Sequence, residues 1–119
     1  MKNHKDLIVW QKAMDLVTEV YQICKQLPKT EMFALSDQLR WAVVSIPSNI
    51  AEGQGRTSRK EFLQFLSIAR GSKAEVETQL LICVRLKYVN QSEVEKPLQL
   101  CSEIGKMQTS LIGKLSGKN

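Results

Sequence analysis

Histidine is almost missing from this chain of 119 residues: its one imidazole, His4, stands near the N-terminus. That absence removes the His–carboxylate pair, the Glu-x-x-His motif of di-metal bundles and any nucleophile–base constellation readable by spacing. No catalytic, metal-binding or cofactor-binding residue is therefore assigned. Long apolar runs are missing too. No stretch approaches the roughly 18 apolar residues of a membrane span, and no signal-peptide core is present, which points to a cytoplasmic protein with no membrane association. Only three prolines and six glycines punctuate the sequence. No window alternates apolar and polar residues between turn signals, which excludes a sheet and leaves an all-α domain. Cysteine is scarce and odd in number. Cys24, Cys83 and Cys101 lie far apart, each among apolar neighbours of a different expected helix, the pattern of reduced core thiols rather than disulfides or a metal site.

What is present is amphipathic helix. An apolar fraction of 43% with 24% charged residues suits one domain over residues 1–119. Helices are expected at about 7–27, 31–53, 58–88 and 92–115. In the first, Leu7, Trp10, Met14, Val17, Tyr21 and Cys24 keep 3–4 spacing beside a second stripe of Val9, Ala13, Leu16, Val20, Ile23 and Leu27. Together they cover roughly 160° of the wheel, broader than one helix–helix seam requires. Pro28 stops this helix, and Gly53-Gln54-Gly55 ends the second. Ser58 three residues before Glu61, and Ser92 before Glu95, have capping-box spacing, and the final Ser-Gly-Lys-Asn is expected to fray. Short connections imply an antiparallel up-down four-helix bundle.

The twelve residues Ser45 to Arg56 stand out, because a proline, two glycines and a polar cluster interrupt plain helix. Pro47 cannot donate to the Val43 carbonyl, a helix-interior arrangement costing roughly 3 kcal/mol unless neighbours accommodate it. Leu39, Val43, Ile46, Ile50 and Gly53 form a core stripe, while Trp41, Ser45, Ser48 and Glu52 fall on a second flank. A kinked helix held by its own serines and a polar network at an interface or site both fit this flank.

Charge is unevenly spread. The net charge is +5, and between Arg56 and Lys87 seven bases (Arg56, Arg59, Lys60, Arg70, Lys73, Arg85 and Lys87) face three acids, Glu61, Glu75 and Glu77. Gathered on one surface, these bases can neutralise phosphates and supply sequence-independent, salt-sensitive affinity; the plainer reading is a solvated helix face. Glu52, Glu75 and Glu77 could meet across two helices as a weak magnesium site, but no partner ligands accompany them. The Gly53-Gln54-Gly55-Arg56 turn lacks the preceding strand and Lys-Ser/Thr ending of a phosphate-binding loop.

Gln38-Leu39-Arg40, the string Ser45-Ile46-Pro47-Ser48-Asn49-Ile50-Ala51-Glu52-Gly53, Gly55-Arg56, Glu61-Phe62 and Ile68-Ala69-Arg70-Gly71-Ser72 with Glu75 together carry a resemblance. The chain resembles, from Trp10 to Lys114, the four-helix-bundle family encoded in intervening sequences of bacterial 23S ribosomal RNA genes. That resemblance implies a small cytoplasmic protein assembled as a homopentamer. The family is in turn similar to the accessory proteins of diversity-generating retroelements, basic bundles thought to bind nucleic acid and a reverse transcriptase.

It also suggests a role for the signature. Gly71 and Ser72 permit close helix approach and could face the Ser45, Ser48 and Glu52 flank, giving a buried polar network of Asn49, Glu52, Ser72 and Glu75. Arg40, Arg56 or Arg70 would then supply positive partners, since a buried carboxylate without one costs several kcal/mol. A ligand crevice beside Gly53 and Gly55 is the rival reading. Three function classes follow: an oligomeric accessory protein binding RNA or DNA through the seven bases, a protein–protein scaffold with no nucleic-acid binding of its own, and an enzyme resting only on the carboxylates. The first is favoured, with a polymerase as a candidate protein partner.

Overall fold

The computed structural model describes residues 3–117; Lys118 and Asn119, in the tail expected to fray, lie outside them. Among the described residues there are four α-helices and no strand: α1 (Ile8–Cys24), α2 (Leu35–Gln54), α3 (Arg59–Arg85) and α4 (Gln91–Leu115). Short 3-10 turns at His4–Asp6 and Lys29–Glu31 precede α1 and α2. Helix contacts run α1 to α2, α2 to α3, α3 to α4 and α4 back to α1, without diagonal pairs, so the four helices close around one core as a bundle of 44 × 24 × 20 Å. Ion pairs Lys12–Glu103 at 3.1 Å and Glu19–Lys96 at 3.2 Å cross from α1 to α4.

The core is the expected aliphatic stripe set. Leu39, Val43, Ile46 and Ile50 of α2 are fully buried with Leu16, Leu66, Leu80, Val94 and Ile104, each such side chain stabilising the fold by about 1.5–3 kcal/mol. Pro47 is buried inside α2 and all its peptide bonds are trans. Of the two stripes only one is used fully: Val9, Ala13, Leu16, Val20 and Ile23 of α1 are buried, as is Leu27 beyond its end, whereas Met14 and Tyr21 face out. Of the second stripe, Cys24 is buried and Trp10 and Val17 pack against the core, so its uncovered part is Met14 and Tyr21.

Helix ends follow local chemistry, with two departures from the sequence reading. Gln26 N–H bonds the Ile23 carbonyl and Leu27 N–H the Cys24 carbonyl, so the chain tightens into a turn after Cys24 instead of remaining α-helical to Leu27. The cap of α4 is Asn90, not Ser92: the Asn90 side chain accepts from Glu93 N at 3.0 Å, and Glu93 Oε1 accepts from Asn90 N at 3.0 Å. Asn caps as well as Ser, and its position closes the box two residues earlier. At α3, Ser58 accepts from Glu61 N as expected. The far end of α3 closes with Lys87 in the left-handed region at φ 64°, Lys87 N–H bonding Val84 O and Tyr88 N–H bonding Cys83 O. That pair of bonds is a Schellman cap, with lysine where glycine is usual.

At Gly53 α2 and α3 approach each other closely. A Cβ there would stand 2.7 Å from Phe65 Cβ and 2.9 Å from Phe62 Cδ1. Gly71, expected to permit close approach, is exposed and a Cβ on it would meet nothing within 4 Å.

Candidate functional site

Ser45 is the hub of the signature. Asn49 Nδ2 donates to both the carbonyl and the hydroxyl oxygen of Ser45 at 2.8 Å, and the buried Ser72 of α3 donates its hydroxyl to Ser45 Oγ at 2.8 Å. An Asn at the position two after a proline thus makes a side-chain bond one turn back, on a helix that lost a backbone donor at Pro47. Farther along the same pair of helices, Gln79 Nε2 lies 3.5 Å from Gln38 Oε1.

The structure brings Ser45, Asn49 and Ser72 together and leaves Ser48, Glu52 and Glu75 outside. Glu52 is 54% exposed and pairs with Arg56 at 2.9 Å, a contact within one turn that needs no buried cation. Solvation explains the placement, because burying the carboxylate would cost several kcal/mol while the outer flank costs nothing. Ser48 and Glu75 are exposed. Glu75 lines an open groove with Phe33, Asp37, Gln38, Trp41, Ser45 and Ser72, along the α2–α3 seam and away from Gly53 and Gly55. Arg40, one of the expected cationic partners, instead reaches Asp37 at 3.6 Å and the Met32 carbonyl at 3.1 Å.

The seven bases occupy four different settings. Arg59 and Lys60 are exposed in the first turn of α3 and pair with no carboxylate among the described residues. Cations there oppose the helix dipole, by about 0.3–1 kcal/mol each. Arg56 is tied to Glu52 and lies over the Phe65 ring at 5.0 Å. Arg85 sits in the last turn of α3, where the dipole favours a cation, and Lys87 forms the left-handed cap. Arg59 and Arg85 stand about 39 Å apart at 1.5 Å per residue, so the seven do not form one compact patch. Between them, Arg70 and Lys73 line a groove shared with Ser102, Gly105, Lys106 and Thr109 of α4. Lys106 is out of reach of sequence reasoning because it is 33 residues beyond Lys73, and only helix packing joins them.

Exposed apolar side chains occur on α1 and α2 and also along α3, at Ile68, Leu81 and Ile82. Trp41 is 75% exposed and, with Tyr21, Val44, Asp37 and Arg40, lines a shallow groove; Phe33, 88% exposed, flanks the neighbouring one.

Thiol chemistry is suppressed. Cys24, Cys83 and Cys101 are free and buried. Burial pushes the Cys83 thiol up to about 11 and Cys101 up to about 12, so neither provides a thiolate near neutral pH. No group of three or more His, Cys, Asp or Glu able to hold a metal occurs among the described residues, Glu77 being paired with Lys73 at 3.1 Å. No described helix is long and apolar enough to cross a membrane. His4 packs edge-on to Trp10 with ring centroids 5.0 Å apart, an aromatic contact.

Comparison with the curated proteins finds no match. Among solved structures, the chain is similar to a protein described as of unknown function from the S23 ribosomal protein family of Bacteroides thetaiotaomicron VPI-5482. The two are 28% identical with a TM-score of 0.81, over 87% of this chain and 97% of that one. The family model described as 23S rRNA-intervening sequence protein matches residues 5–110. With that span and the helical bundle in agreement, the chain belongs to the 23S rRNA-intervening sequence protein family.

Proposed function

We propose that this chain is a non-enzymatic, oligomeric accessory protein of the cytoplasm that binds RNA or DNA by sequence-independent phosphate contacts. The observation that carries the reading is the pair Arg59 and Lys60: exposed, unpaired and placed against the α3 dipole, they serve no purpose in the stability of the chain. Anions bound there gain both the side-chain charges and the helix N-terminus. The bundle is read as antiparallel and up-down. In support, Lys12 meets Glu103 while Glu19 meets Lys96, and Gln38 meets Gln79 while Ser45 meets Ser72. Positions rise along one helix as they fall along its neighbour.

Assembly is assigned to the α1–α2 face, where Trp41, Tyr21 and Val44 expose apolar area that a monomer has no use for. A homopentamer with a polymerase as protein partner is what the family resemblance adds. This same face favours the second reading, a scaffold without nucleic-acid binding of its own. Titration of the purified oligomer against labelled structured RNA and duplex DNA at several salt concentrations separates the two. Binding with a steep log–log salt slope, abolished by Arg59→Glu with Lys60→Glu at unchanged helicity and oligomer size, supports phosphate contact. No binding at low salt refutes it in favour of the scaffold.

A further inference from the structure

We propose that the groove between α3 and α4, lined by Arg70, Lys73 and Lys106, is the track on which a phosphodiester backbone lies. This rests on the nucleic-acid reading above and specifies where on the molecule it acts. Three cations from two helices line it with one carboxylate, Glu77, while Glu103 of α4, bound by Lys12, also lies within electrostatic reach of Lys106. Arg70 and Lys106 are exposed and pair with no carboxylate among the described residues. Lys73 is held differently: its ammonium pairs with Glu77 at 3.1 Å and its side chain is only 17% exposed. It lies across the bare backbone of Gly105, where a Cβ would stand 3.1 Å from Lys73 Nζ and 3.4 Å from Cε. Glycine in the middle of a helix is unfavourable for the helix itself. Here its missing side chain opens the groove floor to the lysine.

Hydroxyls complete the lining. The Ser102 hydroxyl donates to no group among the described residues, whereas the Thr109 hydroxyl is committed to the Gly105 carbonyl at 2.9 Å and can only accept. The direction of the track follows from the charges. Glu77 repels phosphate at its own end. Toward the other end of α3, Arg59 lies eleven residues before Arg70, about 20° away around the helix and about 16 Å along it, so both project from one face. The cationic line therefore runs Lys73, Arg70, Arg59 with Lys106 opposite, and excludes Arg85 and Lys87 at the far end of α3.

The test is binding of a labelled RNA hairpin and a labelled DNA duplex by the intact oligomer, measured across a salt series. Lys106→Gln is expected to weaken binding and to reduce the log–log salt slope by about 1, and Arg85→Gln to leave both unchanged. Gly105→Gln keeps the net charge but fills the groove and displaces Lys73; weaker binding by this variant separates a local track from general electrostatic attraction. Helicity and oligomer size are checked for each variant. If Lys106→Gln and Gly105→Gln bind like the parent while Arg59→Glu with Lys60→Glu abolishes binding, the track is overturned and the nucleic-acid reading survives. Failure of the parent protein to bind either probe at low salt overturns both.

Discussion

Replacing Gly53 with alanine tests the packing of the signature directly. The new methyl would enter a space where Phe65 Cβ is 2.7 Å away, Phe62 Cδ1 2.9 Å and the Phe62 carbonyl oxygen 3.3 Å. The Phe62 ring can swing, but Phe65 Cβ is anchored to the backbone and recedes only if α3 moves. Such overpacking costs about 1–3 kcal/mol. Alanine returns about 0.5–1 kcal/mol of helix preference, so the net loss is about 0.5–2 kcal/mol. Gly71→Ala is the matched control. It is also a mid-helix glycine, yet nothing lies within 4 Å of its added Cβ, and a gain of about 0.5–1 kcal/mol is expected. Urea unfolding followed by far-UV circular dichroism, at one protein concentration because assembly contributes to apparent stability, reads both. Opposite signs are the expected result; a neutral Gly53→Ala or a destabilising Gly71→Ala would refute the close approach described for α2 and α3.

Other expectations arise from buried or strained groups. Gln108 is fully buried and, among the described residues, neither its amide nitrogen nor its oxygen has a hydrogen-bond partner, so Gln108→Met, of similar volume, should stabilise the fold by about 1–3 kcal/mol in the same assay. Lys87→Gly should raise stability by about 1 kcal/mol, because φ 64° suits glycine and burdens lysine; an unchanged midpoint would count against the left-handed cap. Alkaline pH should destabilise the protein through its thiols. The unfolded chain loses these protons around the ordinary value of 9.0, while the folded chain holds them until about 11 at Cys83 and about 12 at Cys101. Stability is thus complete below pH 9 and falls as pH rises toward 12, and Cys101→Ala should flatten the decline in thermal melts between pH 8 and 11.

Much of the helix and core pattern was legible because its causes are local. The stripe Leu39, Val43, Ile46, Ile50 and Gly53 is written in 3–4 spacing, and all five are buried. Ser58 before Glu61 announces a cap that depends on one turn of chain. The cap of α4 is beyond spacing alone, since Asn90-Glu93 and Ser92-Glu95 have the same spacing and only geometry chooses between them. Within the signature, a hub at Ser45 with Asn49 one turn on was within reach of the wheel. The exclusion of Glu52 was not: its exposed flank is known only when α3 is in place.

The all-α class, the helix boundaries to within a few residues and the aliphatic core of α2 are thus written along the chain, because hydrogen bonding and periodicity act within one helix. Tertiary structure decided which stripe of α1 is buried and which leaves Met14 and Tyr21 outside. It also decided that Gly53 rather than Gly71 is the point of contact, and that Lys106 shares a groove with Lys73. Each of these is a relation between helices, set by which faces exclude water together, and no single segment carries it.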